Sequence, residues 1–329
     1  LAFWFGSLPC ASPKRKPQQR SKMKAARQNL YPRPLPSNGT GAYPAYVPVP
    51  KFFWPAFVCL TLALALDVPL TGNGFLALAA VLMLIGGLPH GAFDIAIAQS
   101  VLKLKRSSAA AFFLAYVGVA LAMMALWALV PVTTLCLFLA LSAVHFGEDW
   151  RMLDSGLLRA MAGASVLCIP AFAHPDSVTA LFVAMAGPEA DWVRRFIVAF
   201  TPVAVLVTSV GMLMAVRAGH SGWALAQFAA LLALAVLPPQ VGFLLYFVFL
   251  HSPLHMRGVA ATLPSWSGPR FWIYGGLMCV ACLALAVLLA PGLISGQSLA
   301  MSAEAFRLLS VVAAPHLLLT LFVDRWVRT

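Results

Sequence analysis

Charge is what this 329-residue chain has least of: Asp, Glu, Lys and Arg together make up 10% of it, against the roughly 25% usual in soluble globular domains. A water-soluble domain of this length is thereby excluded, and a 61% share of hydrophobic residues places the chain in a bilayer. Acid is scarcer than base, with ten Asp and Glu to 22 Lys and Arg. The basic surplus does not make a nucleic-acid surface. Nine of these residues (Lys14, Arg15, Lys16, Arg20, Lys22, Lys24, Arg27, Arg33 and Lys51) fall before the first long apolar run. They lie in Pro-, Ser- and Gln-rich text that buries too little apolar surface to offset the entropy of ordering. Residues 1–48 are therefore expected to form a disordered, basic, cytoplasmic tail that sets topology, with anionic lipid as a second use. Residues 1–10 do not have the order of a signal peptide; the chain begins at Leu1, and Met23 is an alternative start. Six cysteines (Cys10, Cys59, Cys136, Cys168, Cys279 and Cys282) show no disulfide framework, and Cys279-x-x-Cys282 reads as packing in apolar helix. His-Glu-x-x-His, which an intramembrane zinc protease would want, does not occur.

What is present is apolar text punctuated by Pro, Gly and small charge clusters. A span needs about 20 apolar residues, so residues 49–329 have room for about eight to ten. The punctuation places them near 52–69, 74–98, 109–130, 132–149, 157–174, 196–216, 222–237, 240–256, 271–291 and 303–323, with 176–192 as a loop. The expected fold is an all-α, polytopic transmembrane helical bundle forming one domain. If the tail is cytoplasmic, nineteen of the 22 basic residues fall on that side, as the positive-inside rule requires. Arg194, Arg195 and Arg307 dissent.

Five of the seven histidines lie inside this apolar text: His90, His145, His251, His255 and His316. They fall on spans two, four, eight and ten, which all run in one direction, and so occupy one leaflet at comparable depth. An ionisable group within a membrane is costly without a partner and marks function by default. His251 and His255, four apart, share a helix face; with His90 and His145 they offer four imidazoles to one ion. Imidazole suits iron, zinc, copper and nickel alike. Asp94 follows His90 by four residues, and Glu148 and Asp149 follow His145 by three and four. Metal-bound histidine commonly donates its second N–H to a carboxylate, so these acids fit an outer shell, where His316, beside the helix-opening Pro315, is also placed. Gly86, Gly87 and Gly91 would let neighbouring helices approach His90 closely. Phe93, Phe146, Trp150, Tyr246, Phe247, Phe249 and Met256 could line a tunnel for a long, flat apolar substrate. His174 and His220, at loop edges, read as structural.

The motifs Pro-His-Gly-Ala-Phe-Asp (89–94), His-Phe-Gly-Glu-Asp-Trp (145–150), Tyr-Phe-Val-Phe-Leu-His-Ser-Pro-Leu-His (246–255) and Pro-His-Leu (315–317), in this order, resemble the Brp/Blh family of β-carotene 15,15′-dioxygenases. The resemblance covers about residues 50–329. It implies a non-haem Fe(II) enzyme of the inner membrane that uses O₂ to split the central double bond of β-carotene into two all-trans-retinal, coupled to a microbial rhodopsin. By position it makes His90, His145, His251 and His255 the iron ligands. Iron suits such chemistry because ground-state O₂ reacts poorly with closed-shell hydrocarbons and redox-active metals overcome this, which Zn²⁺ cannot.

Two other classes use intramembrane histidine. A haem-binding cytochrome would grip its macrocycle with pairs of histidines and give a Soret band, without needing an acid one turn from a ligand. A proton-coupled transporter would also set His and Asp in the membrane, and would hold no stoichiometric metal.

Overall fold

Small and polar residues turned inward, with branched apolar residues turned outward, are the pattern that organises this molecule. The computed structural model describes residues 48–102, 106–263, 269–289, 293 and 297–328; apart from Pro48, the basic tail expected over residues 1–48 lies outside them. All elements among these residues are helical. In chain order they are α1 (Phe53–Ala65), α2 (Asn73–Ala92), α3 (Asp94–Leu102), α4 (Arg106–Leu129), α5 (Pro131–Phe146), α6 (Gly156–Ala173), α7 (Pro175–Ala186), α8 (Asp191–Arg217), α9 (Ser221–Val236), α10 (Pro239–Leu244), α11 (Ser252–Thr262), α12 (Pro269–Leu289) and α13 (Ser298–Arg328).

Helix α8 shows the pattern most clearly. Its buried residues Thr201, Ala204, Thr208, Gly211 and Ala215 recur at helical spacing, whereas Val203, Leu206, Val210 and Leu213 are exposed. In water that distribution would be inside out. In lipid it is favourable, since small residues let helices approach and outward-facing branched side chains meet acyl chains. The buried face packs along α6, where the Ser165 and Thr208 hydroxyls share a 2.8 Å hydrogen bond. Close approach recurs between α5 and α6: a methyl on Gly163 would overlap the Ala143 carbonyl, and one on Gly147 would stand 2.5 Å from the Arg159 carbonyl.

Among the described residues five segments are long and apolar enough to cross a membrane: Ser108–Leu129, Pro131–Trp150, Gly156–Ala173, Pro188–Arg217 and Ser298–Thr320. Shorter apolar helices cover Phe53–Ala65, Asn73–Gly87, Pro175–Ala186 and Ser221–Val236. The molecule is a multi-pass helical membrane protein.

Four local features depart from the sequence reading. The stretch 176–192 is not a loop: it holds α7 and a 3₁₀ turn, Pro188–Ala190. Pro175 starts α7 where a missing N–H costs nothing, Asp176 complements its dipole, and Val178, Leu181, Phe182 and Met185 bury one face. The expected span 74–98 breaks at Phe93, after which α3 restarts on Asp94. A π-helical segment, Leu245–His251, separates α10 from α11. Helix α13 runs on through Pro315 instead of opening there.

The central core gathers the large buried rings Phe53, Trp150, Trp223 and Tyr246. Helix α2 packs against the π segment, α11 and α13, and so brings its last turn to the elements that carry His251, His255 and His316.

Candidate metal centre

Each histidine reaches the centre from its own piece of backbone. His145 lies in the last turn of α5, His251 ends the π segment, His255 lies one turn into α11 and His316 follows the proline of α13. A π turn widens the helix locally and is common at functional sites; here it delivers His251. The backbone of His90 belongs to the last turn of α2, and its side chain lies outside the described residues.

The four described imidazoles converge. Ring centroids are 4.9 Å apart for His145 and His251, 5.9 Å for His145 and His255, and 5.3 Å for His145 and His316. His255 and His316 lie 4.9 Å apart, and His251 and His255 6.4 Å. Rings bound through nitrogen to one ion at about 2.1 Å have centroids from about 4.5 Å apart, when adjacent, to about 6.4 Å, when opposite. Every one of these separations falls in that interval. As placed, however, no group of three or more His, Cys, Asp or Glu side chains among the described residues could hold a metal ion.

Carboxylates decide which nitrogens face inward. His251 Nδ1 lies 3.0 and 3.1 Å from the oxygens of Asp149, and His316 Nδ1 lies 2.9 and 3.0 Å from those of Asp94. An ionised carboxylate only accepts, so both Nδ1 atoms carry a proton, and in a neutral ring Nε2 is then the free acceptor. Each acid is itself held by a tyrosine: the Tyr246 hydroxyl donates to Asp149 at 2.9 Å, and the Tyr116 hydroxyl to Asp94 at 2.9 Å. Glu148, held by Arg151 at 2.9 Å, stands 3.5 Å from His145 Nδ1, beyond a well-formed hydrogen bond. His145 Nε2 and His251 Nε2 face one another 3.2 Å apart, within hydrogen-bonding distance.

Charge points the same way. Asp94 and Asp149 are buried, and their ion-pair partners among the described residues are imidazoles. Two buried carboxylates are costly in a membrane unless compensated, and a divalent cation would offset both. His145, His251 and His255, which the resemblance puts forward as ligands, thus lie near one another and near His316.

The acids are less local than their spacing suggests. Glu148 does stay with His145, but Asp149 crosses to His251 on another element, and Asp94 meets His316 on α13. Tyr116 carried no sequence signal: it is one tyrosine in the apolar run of α4, and only tertiary packing makes it a partner.

His145 and His316 also stand in the wall of a cavity, about 1070 Å³ of empty space with its open margin included, otherwise apolar apart from Ser142 and Gln240. Of the aromatic residues singled out in the sequence, Phe146 and Phe247 line it, joined by Phe138, Phe182, Phe243 and Phe306. Trp150 and Tyr246 belong instead to the central core, while Phe93 stacks on Phe271 at 4.2 Å with Met256 packed nearby. Phe249 packs against the central core from its rim. The glycines act as expected on α2: a methyl on Gly86 would meet Val248 at 2.8 Å, one on Gly87 would meet Leu309 at 2.5 Å, and one on Gly91 would meet the Tyr116 hydroxyl at 2.7 Å. Gly87 and Gly91 border the cavity.

Comparison with known proteins agrees with these motifs. A family profile described as "Beta-carotene 15,15'-dioxygenase" matches residues 81–324. A protein of uncultured marine bacterium 66A03, named beta-carotene 15,15'-dioxygenase, is 27% identical over 264 residues, which cover 75% of this chain and 93% of the relative. No solved structure matches.

Proposed function

As a member of the beta-carotene 15,15'-dioxygenase family, the chain works, we propose, on β-carotene and O₂ within the bilayer. The bond between the two central carbons breaks and each carbon takes one oxygen atom, so that two molecules of all-trans-retinal account for every atom. One observation carries this reading: His145 and the carboxylate-bound His316 stand in the wall of an apolar cavity lined by aromatic rings.

In this reading His90, His145, His251 and His255 hold Fe(II), which when bound supplies the one-electron chemistry that lets O₂ react with a closed-shell polyene. The rest is work for the chain itself. Asp149 keeps the His251 proton on Nδ1, so its Nε2 stays available as a donor. Phe146, Phe243 and Phe247 offer flat apolar surface to a rigid polyene and exclude water from the reacting bond. The cavity fixes which bond lies beside the imidazoles, and hence where the cut falls. A haem is disfavoured, because third and fourth imidazoles 4.9–5.9 Å from their neighbours would occupy the plane of the macrocycle.

A substrate that partitions into lipid is consistent with an enzyme of the inner membrane, its N-terminus cytoplasmic by the distribution of Lys and Arg, and retinal is the product a microbial rhodopsin would consume. Expression of the full chain in carotene-producing cells tests the function. Bleaching with accumulation of all-trans-retinal is expected, abolished by chelation in isolated membranes and restored by Fe(II) but not Zn²⁺. Intact carotene in cells that insert the protein would overturn the reading, and aldehydes of unequal length would move the cut off-centre.

A further inference from the structure

His316 was placed outside the ligand set by its sequence context, and its surroundings argue otherwise. Its ring lies 4.9 Å from that of His255 and 5.3 Å from that of His145, no farther than His145 and His251 lie from each other at 4.9 Å by more than a few tenths of an ångström. An imidazole standing behind a ligand would be separated from the far rings by a full side chain.

The local chemistry repeats that of His251. Tyr246, Asp149 and His251 form one chain of hydroxyl, carboxylate and Nδ1–H, with contacts of 2.9 and 3.0–3.1 Å. Tyr116, Asp94 and His316 form a second, with contacts of 2.9 and 2.9–3.0 Å. The two chains are assembled from different helices, and both acids are buried. A histidine whose task was to hold another ligand's ring would not need a buried carboxylate of its own on Nδ1, with a tyrosine hydroxyl behind it. That arrangement is the one that aims a lone pair at an ion.

We propose that His316 is a further metal ligand, and that Asp94 and Tyr116 are positioning residues acting through it. The proposal rests on the metal-site reading above and not on the identity of the substrate. It makes the centre richer in imidazole than the four positions the family resemblance supplies, leaving correspondingly fewer places on the ion for anything else. It also gives Asp94 a partner on α13 rather than on its own helix.

The full chain in detergent, titrated with Co(II) and followed by its visible d–d bands, provides the test. The parent should take up one equivalent. H316A should bind at least tenfold more weakly with altered band intensity, and added imidazole should restore the parent's spectrum, which a misfolded protein would not allow. D94N should weaken binding 10- to 100-fold, and Tyr116→Phe should weaken it in the same direction by less. Because Asp94 acts through His316, D94N should cost nothing further in an H316A background. Parental affinity and spectrum in H316A would overturn the proposal, as would an undiminished D94N cost in that background or an H316A protein that imidazole does not rescue. A parent that binds cobalt but releases no retinal in cells would sink the carotene reading and leave the ligand assignment standing; a parent that binds no cobalt would sink both.

Discussion

Asp149 follows His145 by four residues, the spacing by which one continuous helix would set them side by side. The helix does not continue: α5 gives way at Gly147 to a tighter 3₁₀ turn ending at Trp150, and Asp149 is carried across to His251. The acids and histidines themselves were legible in the sequence, because an ionisable residue in apolar text has no cheap explanation. Their pairing was not, since it depends on which helices meet, and Tyr116 was invisible for the same reason. Asp149→Asn tests what the carboxylate does. A carboxamide can donate as well as accept, so His251 loses the group that keeps its proton on Nδ1 and its inward lone pair in place. Retinal formation in isolated membranes should fall 10- to 100-fold, with the thermal midpoint of the detergent-solubilised protein nearly unchanged. Turnover at the parental rate would mean that Asp149 only packs.

Helix α7 shows where sequence patterning misleads in a membrane protein. Asp176, Glu189 and Asp191 suggested a loop because charges flank a short apolar run, yet the charges sit at helix ends. Asp176 occupies a first turn, and Arg307 on α13 donates to the last carbonyls of α7, at Ala184 and Met185. Arg307, a dissenter from the positive-inside pattern, thus satisfies orphan carbonyls at a helix end. Long apolar runs such as α4, α5 and α8 were readable from composition alone, whereas the break at Phe93 and the π turn that delivers His251 are decided by packing. At this scale the contact between α5 and α6 is the most demanding one. Gly163 has the Ala143 carbonyl and the Gly147 N–H where a methyl would go, and backbone cannot yield as a side chain can. Gly163→Ala should therefore cost about 1–3 kcal/mol through forced separation of the helices, visible as a lower thermal midpoint in detergent. Because α5 carries His145, cobalt affinity should drop with it.

Taken whole, the bundle joins two environments that polar chemistry normally keeps apart: a set of buried carboxylates and imidazoles, and an apolar cavity whose wall includes His145 and His316. A proton-coupled transporter would have little use for an aromatic-lined apolar cavity, and a cytochrome would need room for a macrocycle among the rings. The carotene reading uses both parts, and it makes them separable by experiment. Ala313 borders the cavity and lies three residues before His316, on the same face of α13. Ala313→Trp should fill the space beside the imidazoles without removing a donor, lowering retinal formation at least tenfold while the purified protein still takes up one equivalent of cobalt. If polyene and metal share the site, turnover falls and metal binding stays. Parental turnover in this variant would place the substrate on some other surface of the molecule, and loss of cobalt together with turnover would show that the indole had displaced the histidines rather than the polyene.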